Sequence, residues 1–437
     1  MRVWFKKWGF ACLALLFLGL PSLAAAAEGN PLSAGDTAFV MMSAALVLLM
    51  TPGLGLFYGG MVRQKNVLGT IMQSFVAIGL ISVQWALFGY SLAFGTDHHG
   101  LIGGLNFLGL AGVGQTPDPA YSATIPHQAF MIFQAMFAII TPALISGAFA
   151  ERFKFSAFLL FTVLWATLVY DPLAHWVWGT GGWLRNLGVL DFAGGTVVHI
   201  SAGISALVVA LAVGKRRTGP RSTILPHNMT MVLLGTALLW FGWFGFNAGS
   251  ALAANGLAIT AFVNTNFAGA TAMLVWLMLE WNLRGKPTAL GAASGAVAGL
   301  AAVTPASGFI SPLFAILIGA LASPLCFWAI QLKNKLGYDD TLDAFGVHGV
   351  AGVWGVLATG LFASTAVNPS GANGLFFGNP GLLAIQALGA VVTVALSLVG
   401  TFVIIKLVNA LVGIRVPDHE EVVGLDLTQH GEAGYHM

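Results

Sequence analysis

Eleven long apolar segments recur along the chain, at about 35–62, 68–94, 125–149, 155–178, 192–214, 225–249, 258–281, 288–304, 308–331, 342–363 and 381–413. An α-helix rising about 1.5 Å per residue needs about 20 such residues to cross a hydrocarbon layer about 30 Å thick. A soluble core cannot absorb this much apolar surface, and the 8% of charged residues falls far below the roughly 25% of soluble domains. The 56 glycines fit the same reading, because small residues let membrane helices approach closely. The connections carry turn chemistry, as in the Gly-rich 179–188, Pro305 with Gly308, and the Pro369–Pro380 loop. The pattern predicts an all-α polytopic membrane protein with about 11 transmembrane helices in a lipid bilayer.

Residues 1–27 read as a cleaved signal peptide, with Arg2, Lys6 and Lys7 ahead of an apolar run from Phe10 to Leu20 and the Ala24–Ala27 stretch. The run is short for a twelfth span. Cleavage near Ala26 or Ala27 removes Cys12 and leaves Cys326 alone, which excludes an intramolecular disulfide and a thiolate metal site. Of the 18 Lys and Arg residues, three lie in the signal; of the other fifteen, thirteen fall in alternate connections or the tail, from Arg63 and Lys65 through Arg152, Arg221 and Lys333 to Arg415. Only Arg185 lies in an opposite-side loop, and Lys406 sits in the last span. The positive-inside rule then puts the mature N-terminus outside and the tail, 414–437, in the cytoplasm. A formal net charge of +2 without a basic patch gives no footprint for nucleic acid.

The fifth and tenth segments share the pattern VHxxAG, at Val198–Gly203 and Val347–Gly352, and each histidine follows an aspartate by eight positions, Asp191 and Asp340. Five spans separate the copies, so they run in opposite directions, as in transporters built from two inverted halves. The halves are about 35–214 and 225–363, and a final helix, 381–413, follows them. The placement brings His199 and His348 to similar depth. A histidine within a membrane is costly unless it is partnered or faces a cavity, and the most economical partner of each is the other. A purely structural hydrogen-bonding role is the alternative. Metal or haem ligation lacks HExxH, CxxCH or a carboxylate cluster, so no cofactor or metal is expected, and no catalytic cluster marks an enzyme.

At these residues the chain resembles the ammonium transporter family, the Amt proteins with their Mep and Rh relatives, over essentially the whole mature chain. The stretches that carry the likeness are Thr51–Gly60, Asp191–His199, Gly242–Ser250 and Asp343–Gly349. The resemblance implies an outer ammonium-recruiting site of Phe137, Trp178 and Ser250, with Phe133 lining its approach. Below it would lie a gate of Phe137 and Phe246, then the imidazoles of His199 and His348, with Trp243 walling the pore. A small cation can rest on aromatic faces, at about 0.5–2 kcal/mol per contact, while donating to a hydroxyl. The bland readings are an interfacial aromatic belt for Trp178 and helix packing for Phe133 and Phe137.

Asp191 corresponds to the family's aspartate beneath the recruiting site and reads as a scaffold capping the fifth helix rather than as a cation ligand. Asp340 and Asp343 at the cytoplasmic edge read as N-caps. Ser201 stands where relatives often carry Asn, and His98 and His99 receive no function. The tail segments Asp418–Glu421 and Gly424–Leu427 also resemble the Amt cytoplasmic region. The family implies a homotrimer in a bacterial inner membrane, and a PII-type regulatory protein docking at the cytoplasmic face. Desolvation favours moving neutral ammonia, so ammonium is expected to lose its proton near the gate and the histidine pair to relay it, with net inward movement of ammonia plus a proton. A membrane ammonium sensor is the rival reading.

Overall fold

The computed structural model describes residues 32–217 and 225–435; the expected signal peptide with Cys12, and the loop residue Arg221, lie outside them. Among the described residues eleven apolar helical segments follow one another. They are α1 Ala34–Met61, α2 Gln64–Phe94, α3 His127–Ala148, α4 over 155–178, α5 Gly195–Val213 and α6 Met229–Gly249. The series continues with α7 Gly256–Arg284, α8 Ala289–Val303, α9 Pro312–Leu336, α10 Phe345–Phe362 and α11 Pro380–Val412. Ten are long and apolar enough to cross a membrane, and α8, with 15 residues, is shorter.

The chain's own residues mark six of the eleven starts. Ser33, Asn228, Asn255 and Thr288 accept first-turn backbone N–H groups at the starts of α1, α6, α7 and α8. Pro312 and Pro380 open α9 and α11, where a missing N–H leaves nothing unpaired. Beyond α8 the chain runs through an irregular, buried 304–310. Irregular backbone away from water needs partners, and Asn264 of α7 supplies them, its Nδ2 donating to the carbonyls of Ser307 and Ile310 at 2.8 and 2.7 Å.

The halves α1–α5 and α6–α10 meet through equivalent helices. Where α1 crosses α6, a Cβ on Gly235 would lie 2.3 Å from the backbone N of Phe57, and one on Gly242 would lie 2.2 Å from Met50. Where α5 crosses α10, a Cβ on Gly203 would lie 2.1 Å from the backbone N of Gly349, and one on Gly352 would lie 2.9 Å from that of Ile200. The glycine of each VHxxAG copy therefore exists for this crossing, since only a bare Cα permits it.

One end of the bundle gathers most of the described Lys and Arg residues and is called the basic end. There Glu151 pairs with Arg63 at 2.9 Å and Arg216 at 3.3 Å, and Arg216 pairs with Asp339 at 2.9 Å. The tail lies across this end. Arg415 pairs with Glu421 at 2.7 Å, and the Asp426 carboxylate accepts from the backbone N–H groups of Leu68 and Gly69 at 3.0 and 2.8 Å. The opposite end carries a short hairpin, Asp97–His98 with Ile102–Gly103, and the loop that holds Arg185.

Candidate functional site

Both α5 and α10 open with a π-helical turn, Gly195–Ile200 and Phe345–Gly349, and each turn holds one histidine of the pair. A buried carboxylate fixes each start. Asp191 accepts from the N–H groups of Gly194 and Gly195 at 2.8 and 2.7 Å through Oδ1, and from those of Thr196 and Val197 at 2.7 and 3.4 Å through Oδ2. The Thr196 hydroxyl also donates to Oδ2. Asp340 repeats the arrangement with Ala344 at 3.1 Å and Phe345 at 2.9 Å. Burial and the neighbouring Asp343 push the Asp340 carboxyl above the ordinary carboxylate range.

Asp343 does not act as an N-cap. Its backbone takes the left-handed φ of 61°, and its carboxylate receives the Lys333 ammonium at 2.5 Å. It is an ion-pair partner, and Asp340 three residues earlier does the capping.

The π turns and the glycine crossing bring His199 and His348 together as nearly parallel rings, centroids 5.4 Å apart at 11°. Both are buried. They are not hydrogen-bonded to each other, contrary to the economical pairing expected of them: Nδ1 and Nε2 of His199 and Nδ1 of His348 have no protein partner among the described residues. The rings face instead a narrow cavity of about 10 Å³, lined also by Trp243, Phe246, Leu144 and Leu239. That is about the room one water needs. Trp243 lies 5.5 Å from His199 at 22°, held by a 2.9 Å bond from its Nε1 to the Thr304 hydroxyl.

Toward the end opposite the basic one, Phe246 lies 6.1 Å from His199, and Phe137 packs on Phe246 at 4.2 Å. Phe137 in turn meets Trp178 nearly edge-on at 6.0 Å and 85°. Trp178 donates from Nε1 to the carbonyl of Asp191 at 2.9 Å, so one residue anchors both the indole and the helix that carries His199. Beyond these rings opens a vestibule of about 210 Å³ lined by Phe137, Trp178 and Ser250. The Ser250 hydroxyl donates to the carbonyl of Phe246 at 2.9 Å, which leaves its oxygen free to accept. Toward the basic end a second cavity, about 40 Å³, is lined by His348, Tyr58, Ser294 and Asp343.

Phe133 is a correction. It is completely buried and does not line the vestibule; its ring packs under Gly249, where a Cβ would lie 2.8 Å from it. Phe130, Gln134 and Phe137 of α3 reach the vestibule while α6 covers Phe133, so the neighbouring helix and not the spacing decides.

The sequence model described as the Ammonium Transporter Family matches residues 38–435. The chain belongs to the ammonium transporter family. It is 56% identical over 402 residues to the ammonium transporter of Bacillus subtilis, covering 92% of this chain and 98% of that one. It is 49% identical over 404 residues to ammonium transporter Amt1 of Archaeoglobus fulgidus, covering 92% of this chain and 100% of that one. The crystal structure of Candida albicans Mep2 superposes with a TM-score of 0.85 at 35% identity, covering 92% of this chain and 91% of that one.

In this ammonium transporter family member the vestibule holds residues that the sequence reading passed over. Gln134 sits one turn from Phe137, and a polar side chain in an apolar span was the signal for it. Arg185, which charge counting isolated as the only cation of its side, reaches the vestibule rim. There it donates to the carbonyl of Trp178 at 2.8 Å and lies 5.9 Å over the Tyr121 ring.

Proposed function

We propose that this member of the ammonium transporter family moves ammonium nitrogen inward across a bacterial inner membrane by recruiting ammonium, removing its proton and conducting ammonia. The observation that carries the reading is the axial order of vestibule, phenylalanine pair and imidazole pair, with three ring nitrogens that no group among the described residues satisfies.

Ammonium has only donors, and the vestibule offers the aromatic faces of Trp178 and Phe137 and the Ser250 lone pairs. The Phe137–Phe246 rings below it provide no acceptor, so an ion entering there loses hydration without replacement, while ammonia loses little. Each neutral imidazole has one donor and one acceptor nitrogen, so the pair can pass a proton while ammonia slips along the cavity. Asp191 is a scaffold in this scheme because five donors already occupy its oxygens. Asp340 is the matching scaffold, and Asp343 holds Lys333 at the exit.

Family membership supports a homotrimer and a PII-type partner at the basic end, and the distribution of Lys and Arg supports reading that end as the cytoplasmic face. Purified protein in liposomes tests the reading. An ammonium pulse should drive an inward current absent from protein-free vesicles, and its absence from an assembled protein would favour a sensor without flux.

A further inference from the structure

Away from the axial stack, α2 and α4 each carry a π-helical turn, Trp85–Gly89 and Ala166–Tyr170, with Trp85 and Tyr170 in contact at 6.3 Å. Such turns free backbone groups and recur at functional sites. A polar cluster fills this seam. Gln84 donates from Nε2 to Asp171 Oδ2 at 2.7 Å and to the Thr167 hydroxyl at 3.3 Å. Gln84 is buried, and Asp171 is completely so.

Each member of this pair keeps one atom without a partner among the described residues, Gln84 Oε1 and Asp171 Oδ1. No described ion pair includes Asp171. Gly89 makes the room for the amide, since a Cβ there would lie 2.5 Å from Gln84 Oε1. An ionised carboxylate in an apolar span, with one side-chain donor and no cation, is among the costliest groups a membrane protein can hold. Two acceptor oxygens cannot satisfy each other, but one proton between them can. An O–H on Asp171 Oδ1 donating to Gln84 Oε1 closes a cyclic acid–amide pair whose other half is the 2.7 Å bond already present.

We propose that Asp171 is a proton-binding site within the membrane, a neutral carboxylic acid whose proton is shared with Gln84 and clasps α2 to α4. The titratable groups around it do not supply a counter-charge. On α4, the Tyr170 hydroxyl has no partner among the described residues, and the His175 nitrogens are taken by the carbonyl of Ala93 and by Asp97. On α2, Tyr90 is bonded to His127 at the head of α3, and Lys65 is held at the basic end by tail carbonyls. Lys406 of α11 is exposed, and Asp191, which also acts on Tyr170, is itself acidic. The clasp lies two helical turns before Trp178 on α4 and so helps to set where that indole stands.

The test is infrared spectroscopy of the full chain in liposomes at neutral pH, which reads the proton directly and does not depend on transport. Wild type should show a carboxylic-acid C=O band that shifts in D2O, is absent from Asp171→Asn, and persists as pH rises above the ordinary carboxylate range. Asp171→Asn, whose amide can donate and accept in the same places, should keep wild-type thermal stability. Identical spectra from wild type and Asp171→Asn in the acid region would overturn the proposal. If the Asn variant does not assemble, Gly89→Ala, which displaces the Gln84 amide, should move the wild-type acid band; no band, or an unmoved one, would overturn it equally.

Discussion

Replacing Asp191 with Asn separates a scaffold from a cation ligand. The substitution keeps size and the backbone carbonyl that receives Trp178 Nε1, but it turns one acceptor oxygen into an NH2 group. If the NH2 takes the place of Oδ1, it faces the N–H groups of Gly194 and Gly195; in place of Oδ2, it faces those of Thr196 and Val197. Either way two buried backbone donors lose their acceptor, at about 1–3 kcal/mol each, so the fold should lose roughly 2–6 kcal/mol. Unfolding of the purified protein, followed by thermal or denaturant titration, measures this loss. Ammonium affinity is measured on the fraction that remains assembled, and it should stay near wild type because no oxygen of Asp191 is free to touch a cation. Wild-type stability combined with a large loss of affinity would refute the reasoning and make the carboxylate a ligand.

Trp178→Leu removes one cation–π face from the vestibule, worth about 0.5–2 kcal/mol, and should weaken apparent ammonium affinity roughly 2- to 30-fold with assembly intact; unchanged affinity and potassium discrimination in flux assays would count against the site. Asp339 is partly buried, which alone would raise its carboxyl, but the hydrogen bonds and charge of Arg216 bring it down to about 2. A folded value below the unfolded 3.8 gives stability that is present above 3.8 and lost as pH falls through about 2, so the melting gap between wild type and Asp339→Asn should close over that window. Single cysteines at Asn186 and Ala433, both exposed, in a Cys326→Ala background should label from opposite sides of the membrane, and periplasmic labelling of both would contradict the orientation.

Periodicity and charge made the helices legible, because a spanning helix must satisfy its own backbone and must be apolar for about 20 residues. Pro305 with Gly308 marked the break after the short α8, but nothing in the spacing showed that the buried 304–310 is paired by a distant asparagine. The histidine pair was legible from the VHxxAG repeat, and the glycine crossing shows why histidine and glycine keep that spacing. What spacing could not give was the absence of a bond between the imidazoles, which depends on how α5 and α10 rotate through their π turns. It also could not turn Phe133 away from the vestibule, because two phenylalanines one turn apart look alike until the helix has neighbours. The Asp171–Gln84 pair escaped notice for a related reason: its two residues are 87 apart and belong to no motif.

If the paired imidazoles carry the proton, the variant His199→Asn with His348→Asn must interrupt it. Asparagine keeps polarity and cannot titrate at physiological pH. Two amides facing the narrow cavity could also hold water and admit hydrated cations. The measurement is current in proteoliposomes given ammonium or potassium pulses, with assembly checked by size and unfolding. The ammonium-selective current should be lost, either as no current or as a current that potassium now also drives. A wild-type, ammonium-selective current from a correctly assembled double variant would contradict it.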